Sequence, residues 1–250
     1  MNPLKTDLSI YKKFNFQYAP VGIKYLFDKP EGIQKLDKVI SFCEMPKEAS
    51  VTGEAFYMTK ENDNCYGKLT LGMEEAPPFA ESGQLGVELG IFNEPRANSR
   101  YYQSIRKMKK STVNYVIFAP LDKINFEPDL LFIAANPKQF EIIMRAMTYS
   151  TGEIYENKFT PVFGCSWLFT YPYQSGNVNY AMSILELGIK GKEIYPDDTT
   201  MISIPYHWIA IITDNLKNMV WDTCQYTDGK ENFIKREQTM LENLAKRYLK

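Results

Sequence analysis

Apolar residues fall in short, evenly spaced blocks along the chain, and the period within each block alternates between strand-like and helix-like. Leu4 to Phe16 carries Leu4, Leu8 and Tyr11 near helical spacing, and Pro20 stops that helix before a strand over Val21 to Phe27. Val39 to Cys43 predicts a second strand. MPKEASVTG predicts a short helix, with Pro46 in its first turn and Gly53 just beyond its end. Glu54 to Thr59 predicts a third strand, after which the polar turn ENDN delivers Cys65 to the exposed start of CYGKLTLGM. From Glu74 to Arg100 the Pro and Gly content breaks every period and predicts a mobile flap.

The second half is more regular. Thr112 to Ala119 and Asp129 to Ala135 predict strands, the latter apolar enough for burial on both faces. Asn136 caps a helix with Pro137 at its first position, Phe140, Ile143, Met144 and Met147 on one face, and Gly152 as its stop. PVFGCSWLFTYPY predicts a buried short helix ending at Pro172, followed by strands in NVNYAMSIL and TMISIP and a helix in IPYHWIAIITDNL. At the C-terminus Ile234, Leu241, Leu244 and Tyr248 share one stripe, which predicts a packed amphipathic helix or, alternatively, a homodimer seam.

These elements predict an α/β (or α+β) protein: one domain over 1–250, with a mixed sheet covered by helices and 74–100 as its flap. No repeat or linker divides it. At 29.0 kDa the chain should leave about 11,000 Å² exposed. A formal charge of −1 gives no field that would draw the chain to nucleic acid or anionic lipid, and Arg106, Lys107, Lys109 and Lys110 read as a solvated basic stretch. The N-terminus lacks a secretory pattern and no apolar run reaches bilayer length, so a cytoplasmic chain without a membrane partner is expected. Cys43, Cys65, Cys165 and Cys224 are then thiols or ligands rather than disulfides.

Candidate chemistry is narrowed by what is scarce. His207 is the single histidine, so poly-His metal sites are excluded, and its place at the entrance of an apolar helix reads as structural. Neither GxGxxG before a helix nor GxxxxGK[ST] occurs, and Gly83 and Gly86 lack the strand-to-helix setting of phosphate loops. The helix start at Asn136 offers weak anion contact, as any helix start does. Cysteine remains. Cys65 is placed where a helix N-terminus would favour thiolate, which makes it the candidate nucleophile, with Glu44 and Glu54 as conceivable proton carriers. No CxxC occurs, so a metal site would have to gather Cys43, Cys65 and Cys165 from distant segments. Three such thiolates suit an iron–sulfur cluster or soft transition metal. A redox partner would then follow. The 17 Tyr and 15 Phe also allow a metal-free small-molecule pocket, and a thiol enzyme is the third option.

Taken in order, APVGIKYLF, FCEMPKEA, CYGKLTLGM, VIFAPLDKINFEPDLLFIAANPKQF, the Cys165 segment, SGNVNY and ISIP resemble the domain of unknown function 169 family over about residues 15–216. This is the uncharacterised archaeal conserved-region family of prokaryotes. The resemblance implies that Cys43, Cys65 and Cys165 form a set, with Cys224 outside it. It also implies a ligand-contacting Cys-x-Gly-x-Arg-like element where this chain has Glu186, Gly188 and Lys190, leaving Gly188 and Lys190 as weak candidates for that contact. It brings no reaction with it.

Overall fold

The computed structural model describes residues 1–222 and 229–248, so Cys224 lies outside the described residues. Seven strands form one mixed sheet in the order β2-β3-β4-β1-β5-β7-β6. In chain order these are β1 (Val21–Leu26), β2 (Gln34–Lys35), β3 (Phe56–Met58), β4 (Tyr115–Pro120), β5 (Leu130–Ala135), β6 (Asn179–Met182) and β7 (Thr200–Pro205). Among these seven strands β2 and β3 pair in parallel and the other neighbours are antiparallel. β5 is buried at all six positions between antiparallel neighbours, because helices cover both faces. Side-chain alternation divides that burial. Leu130 and Phe132 join a front core with Met45, Leu168 and Phe169, whereas Leu131 and Ile133 join a rear core with Ile143, Ile212 and Leu216.

The rear core is built by the helices Pro137–Thr148 and Tyr206–Asn218, both where the sequence predicts them. Asn136 Oδ1 accepts from the Gln139 N–H at 2.9 Å while the Gln139 side chain accepts from the Asn136 N–H, a reciprocal cap that fixes the first turn. The front helix Met45–Thr52 ends at Gly53, whose φ of 70° is cheap only for glycine.

Several elements differ from the sequence reading. The N-terminal helix is shorter, a 3-10 helix over Ser9–Phe14, because Leu4 is drawn off to donate to the Asn125 carbonyl. Val39 to Cys43 is not a strand. Ile40 makes one isolated bridge to Asp63, and then Phe42–Glu44 turns as a 3-10 helix with the Glu44 carboxylate accepting from the Ser41 N–H. The segment 74–100 is not structureless: Pro78–Glu81, Gln84–Glu88 and Pro95–Ser104 are helical. Finally, Gly229–Tyr248 is a helix but buries no residue, and Leu241 and Tyr248 are 60% and 73% exposed. The packed C-terminal helix is therefore corrected to an exposed one. The accessible area of 13,500 Å² exceeds the compact expectation accordingly.

The helix carrying Cys165 also runs past its expected stop. It widens to a π turn over Ser166–Thr170 and continues as Tyr171–Ser175 through Pro172. Pro172 has no N–H for the Leu168 carbonyl four residues back, and that carbonyl accepts instead from the buried Ser203 hydroxyl of β7. Ser203→Ala should therefore cost about 1–3 kcal/mol by leaving a buried acceptor unpaired. Urea unfolding midpoints of the two proteins, at equal m-values, measure it.

Candidate functional site

A cleft of about 180 Å³ opens on the front side, and its walls include Cys43, Cys65 and Cys165 from three separate segments. Cys43 lies in the Phe42–Glu44 turn, Cys65 two residues before the single-turn helix Gly67–Thr70, and Cys165 at the start of the π-containing helix. Cys165 is buried; Cys43 and Cys65 are half-buried. Apolar side chains such as Tyr66, Phe163 and Ile194 make up most of the remaining wall. Leu85, Leu89 and Ile91 form its roof, so part of the 74–100 segment lines the cleft. Gly83, with φ at 81°, lets that roof close, because a Cβ there would fall 2.0 Å from the Pro95 carbonyl oxygen. Asn98 then donates to the Gly83 carbonyl at 3.1 Å.

Phe163, two residues before Cys165, is held at φ 65°, a conformation that non-glycine residues seldom adopt. Its ring is edge-on to both Tyr66 and Tyr102, and these contacts hold it over the cleft.

Electrostatically the cleft favours neutral thiols. Burial pushes the Cys43 thiol well above the usual range, and the neighbouring Cys165, Glu186 and Cys65 add to the effect. Cys165 is pushed up in the same way, by burial first and then by Cys65, Asp63 and Glu186. Cys65 is corrected from the expected thiolate. Burial raises it, and the opposing pull of Lys192 and the Tyr66 N–H does not compensate. A four-residue helix supplies little dipole to help.

Sequence reasoning missed two charged groups of the site, the buried Asp63, 2% exposed, and Lys192 at the rim, 4.0 Å from Glu44, and it gave no role to the Glu186 carboxylate, 4% exposed. Burial raises both buried carboxyls, and backbone hydrogen bonds partly offset the rise. Glu186 and Gly188 line the cleft, and Asp63 does not. Lys190, Asn136 and His207 do not line it. Lys190 is exposed on the helix Leu187–Gly191, Asn136 caps a helix of the rear layer, and His207 is exposed at the start of Tyr206–Asn218. Glu54 is also remote, pairing with Lys123 at 3.5 Å. The basic stretch is solvated as expected, with Lys110 paired to Glu75 and Lys107 over the Tyr102 ring at 3.6 Å. Among the described residues, no three His, Cys, Asp or Glu side chains come together closely enough to hold a metal ion. Among those residues, too, no helix is long and apolar enough to cross a membrane.

Fold and site together define an α/β protein with a three-thiol cleft beneath a helical roof. The family model DUF169, uncharacterised ArCR, matches residues 9–215, and the chain belongs to that family. The match spans all three cysteines of the cleft. The chain is also similar to the uncharacterized protein MJ0308 of Methanocaldococcus jannaschii, 27% identical over 135 residues, which is 53% of this chain. It spans 58% of that relative's length. No solved structure matches.

Proposed function

We propose that the chain is a small-molecule-binding protein whose ligand lies under the 78–98 roof and contacts the thiols of Cys43, Cys65 and Cys165. The observation that carries this reading is one apolar-walled cavity lined by three thiols from remote segments, each pushed upward by burial. The thiols ring a space and do not close on a single ion, which favours an occupant with volume of its own. A bound apolar molecule also keeps water from the sulfurs and so suits their protonated form.

The test uses the dye 8-anilinonaphthalene-1-sulfonate as an apolar probe and iodoacetamide as a thiol probe. Saturable dye binding that slows Cys65 alkylation is expected. Leu89→Asp, which puts a charge on an exposed part of the roof, should weaken the binding at least roughly tenfold. Dye that binds without protecting Cys65, or does not bind, removes the reading.

A second reading is an iron–sulfur cluster, favoured by three cysteines from separate segments lining one cavity. A cluster has the volume that a lone ion lacks, and thiolates are its usual ligands. Stoichiometric iron and sulfide after anaerobic purification, lost in the triple Cys→Ser variant, would replace the first reading with this one.

A further inference from the structure

Asp63 and Glu186 are buried, and the hydrogen bonds they accept lead to the backbone beside the cysteines. Asp63 Oδ1 accepts from the N–H groups of Phe42 at 3.0 Å and Cys65 at 3.1 Å, and its Oδ2 from Lys68 at 2.6 Å. One carboxylate thereby joins the Cys43 turn to the Cys65 turn. Glu186 Oε1 accepts from the Gly164 N–H at 3.0 Å, next to Cys165, and its Oε2 from the Ile189 N–H at 2.6 Å.

The glycines on both sides are shaped to these carboxylates. A Cβ on Gly67 would stand 2.8 Å from Asp63 Oδ2 and 2.2 Å from the Phe42 Cβ, and one on Gly164 would stand 3.0 Å from Glu186 Cδ. Only a residue without a side chain lets the backbone approach this closely.

We propose that Asp63 and Glu186 are the positioning residues of the cleft, two anionic clamps that fix where the three sulfur-bearing segments stand. The assignment rests on the cleft being the working site. It explains why charges are kept buried beside the cysteines, where they are costly unless fully hydrogen-bonded. It also gives them a second effect. Their charge acts on Cys43, Cys65 and Cys165 against the ionisation of the thiols, while Lys68 acts on Asp63, and Lys192 on Glu186 and Cys65, in the opposite sense.

The test needs no ligand, so its outcome is independent of the dye experiment. Iodoacetamide alkylation of the full chain is followed at each cysteine by peptide mass spectrometry across alkaline pH. Amide hydrogen exchange is read in parallel. Glu186→Gln should move the alkylation midpoints of all three thiols to lower pH, raising the Cys65 rate about threefold or more at a fixed mildly alkaline pH. It should speed exchange at Gly164 and Ile189 but not at Phe42. Asp63→Asn should lower the midpoints likewise and speed exchange at Lys68, Cys65 and Phe42 but not at Gly164. Lys192→Met, at the exposed rim, should move the Cys65 midpoint the other way.

A general loosening would speed exchange on both sides of the cleft and would move Lys192→Met and the carboxylate variants in the same direction. That pattern overturns the proposal, as do unmoved midpoints in the carboxylate variants. If Asp63→Asn does not fold, Glu186→Gln and Lys192→Met carry the same test with opposite expected signs.

Discussion

Phe169→Ala should destabilise the protein by about 3–5 kcal/mol, the largest effect expected of any single truncation here. Phe169 is fully buried, stacks on Phe132 of β5 at 5.5 Å and meets Phe42 edge-on at 4.8 Å. It therefore joins the sheet, the Cys165 helix and the Cys43 turn through one ring. The loss combines the transfer energy of a large aromatic with a cavity that close packing on three sides prevents from collapsing. Denaturant unfolding measures the cost. Thiol accessibility measures the consequence for the cleft, since Cys43 should become faster to alkylate in the folded variant. A cost below about 1.5 kcal/mol would mean that the front layer repacks freely, contrary to its close aromatic contacts.

Stability should also fall steeply above about pH 9, where an ordinary thiol begins to lose its proton. The sign follows from the direction of the shifts. In the unfolded chain the three cysteines ionise near the ordinary value, whereas burial and mutual repulsion keep the folded thiols protonated to higher pH. Between those limits the unfolded state has released protons that the native state retains. Raising the pH thus favours unfolding, and the stabilisation present below the ordinary thiol value is lost. Each fully shifted thiol adds up to about 1.4 kcal/mol per pH unit to the slope. Tyr25 and Tyr195 are raised for the same reason, burial, and join only at higher pH because phenols start higher. The triple Cys→Ala variant should lose the first part of this slope. Melting temperatures of both proteins across pH 7–11, read as slopes, decide it; parallel slopes would show that the thiols are not held neutral by the fold.

How far the sequence carried these results depended on whether an element's pattern was local. β5 and the helix after it were legible because an apolar run, an Asn cap and a following Pro specify them without help from elsewhere. Val39 to Cys43 has an equally apolar run, but Asp63, which accepts from the Phe42 N–H, bends it from 21 residues away. Pro172 signals a helix stop, but here it follows a π turn and the Leu168 carbonyl is taken up by the Ser203 hydroxyl of a distant strand. In the C-terminal helix the periodicity was read correctly as helical, yet periodicity does not reveal whether a stripe has a surface to pack against.

The site divides in the same way. Residue type singled out the cysteines, and family resemblance grouped three of them. Neither showed that Cys65 is buried enough to be neutral. Asp63, within ENDN, looks like any turn residue, although an Asp between two Asn is a common way to collect backbone N–H groups and was the available signal. Glu186 offered a fainter one, its place just before the short helix Leu187–Gly191, where its side chain caps the Ile189 N–H. Lys192, not Lys190, reaches the cleft rim, a displacement of two residues that spacing alone does not resolve.

The order in which the cleft's parts leave the ribosome has its own consequence. Cys43 and Cys65 emerge early, but the wall they face is completed only by Cys165 and Glu186, and central β1 waits for β4 and β5. A nascent chain stalled before Cys165 would expose two ordinary, titratable sulfurs, so their fall in reactivity times the completion of synthesis.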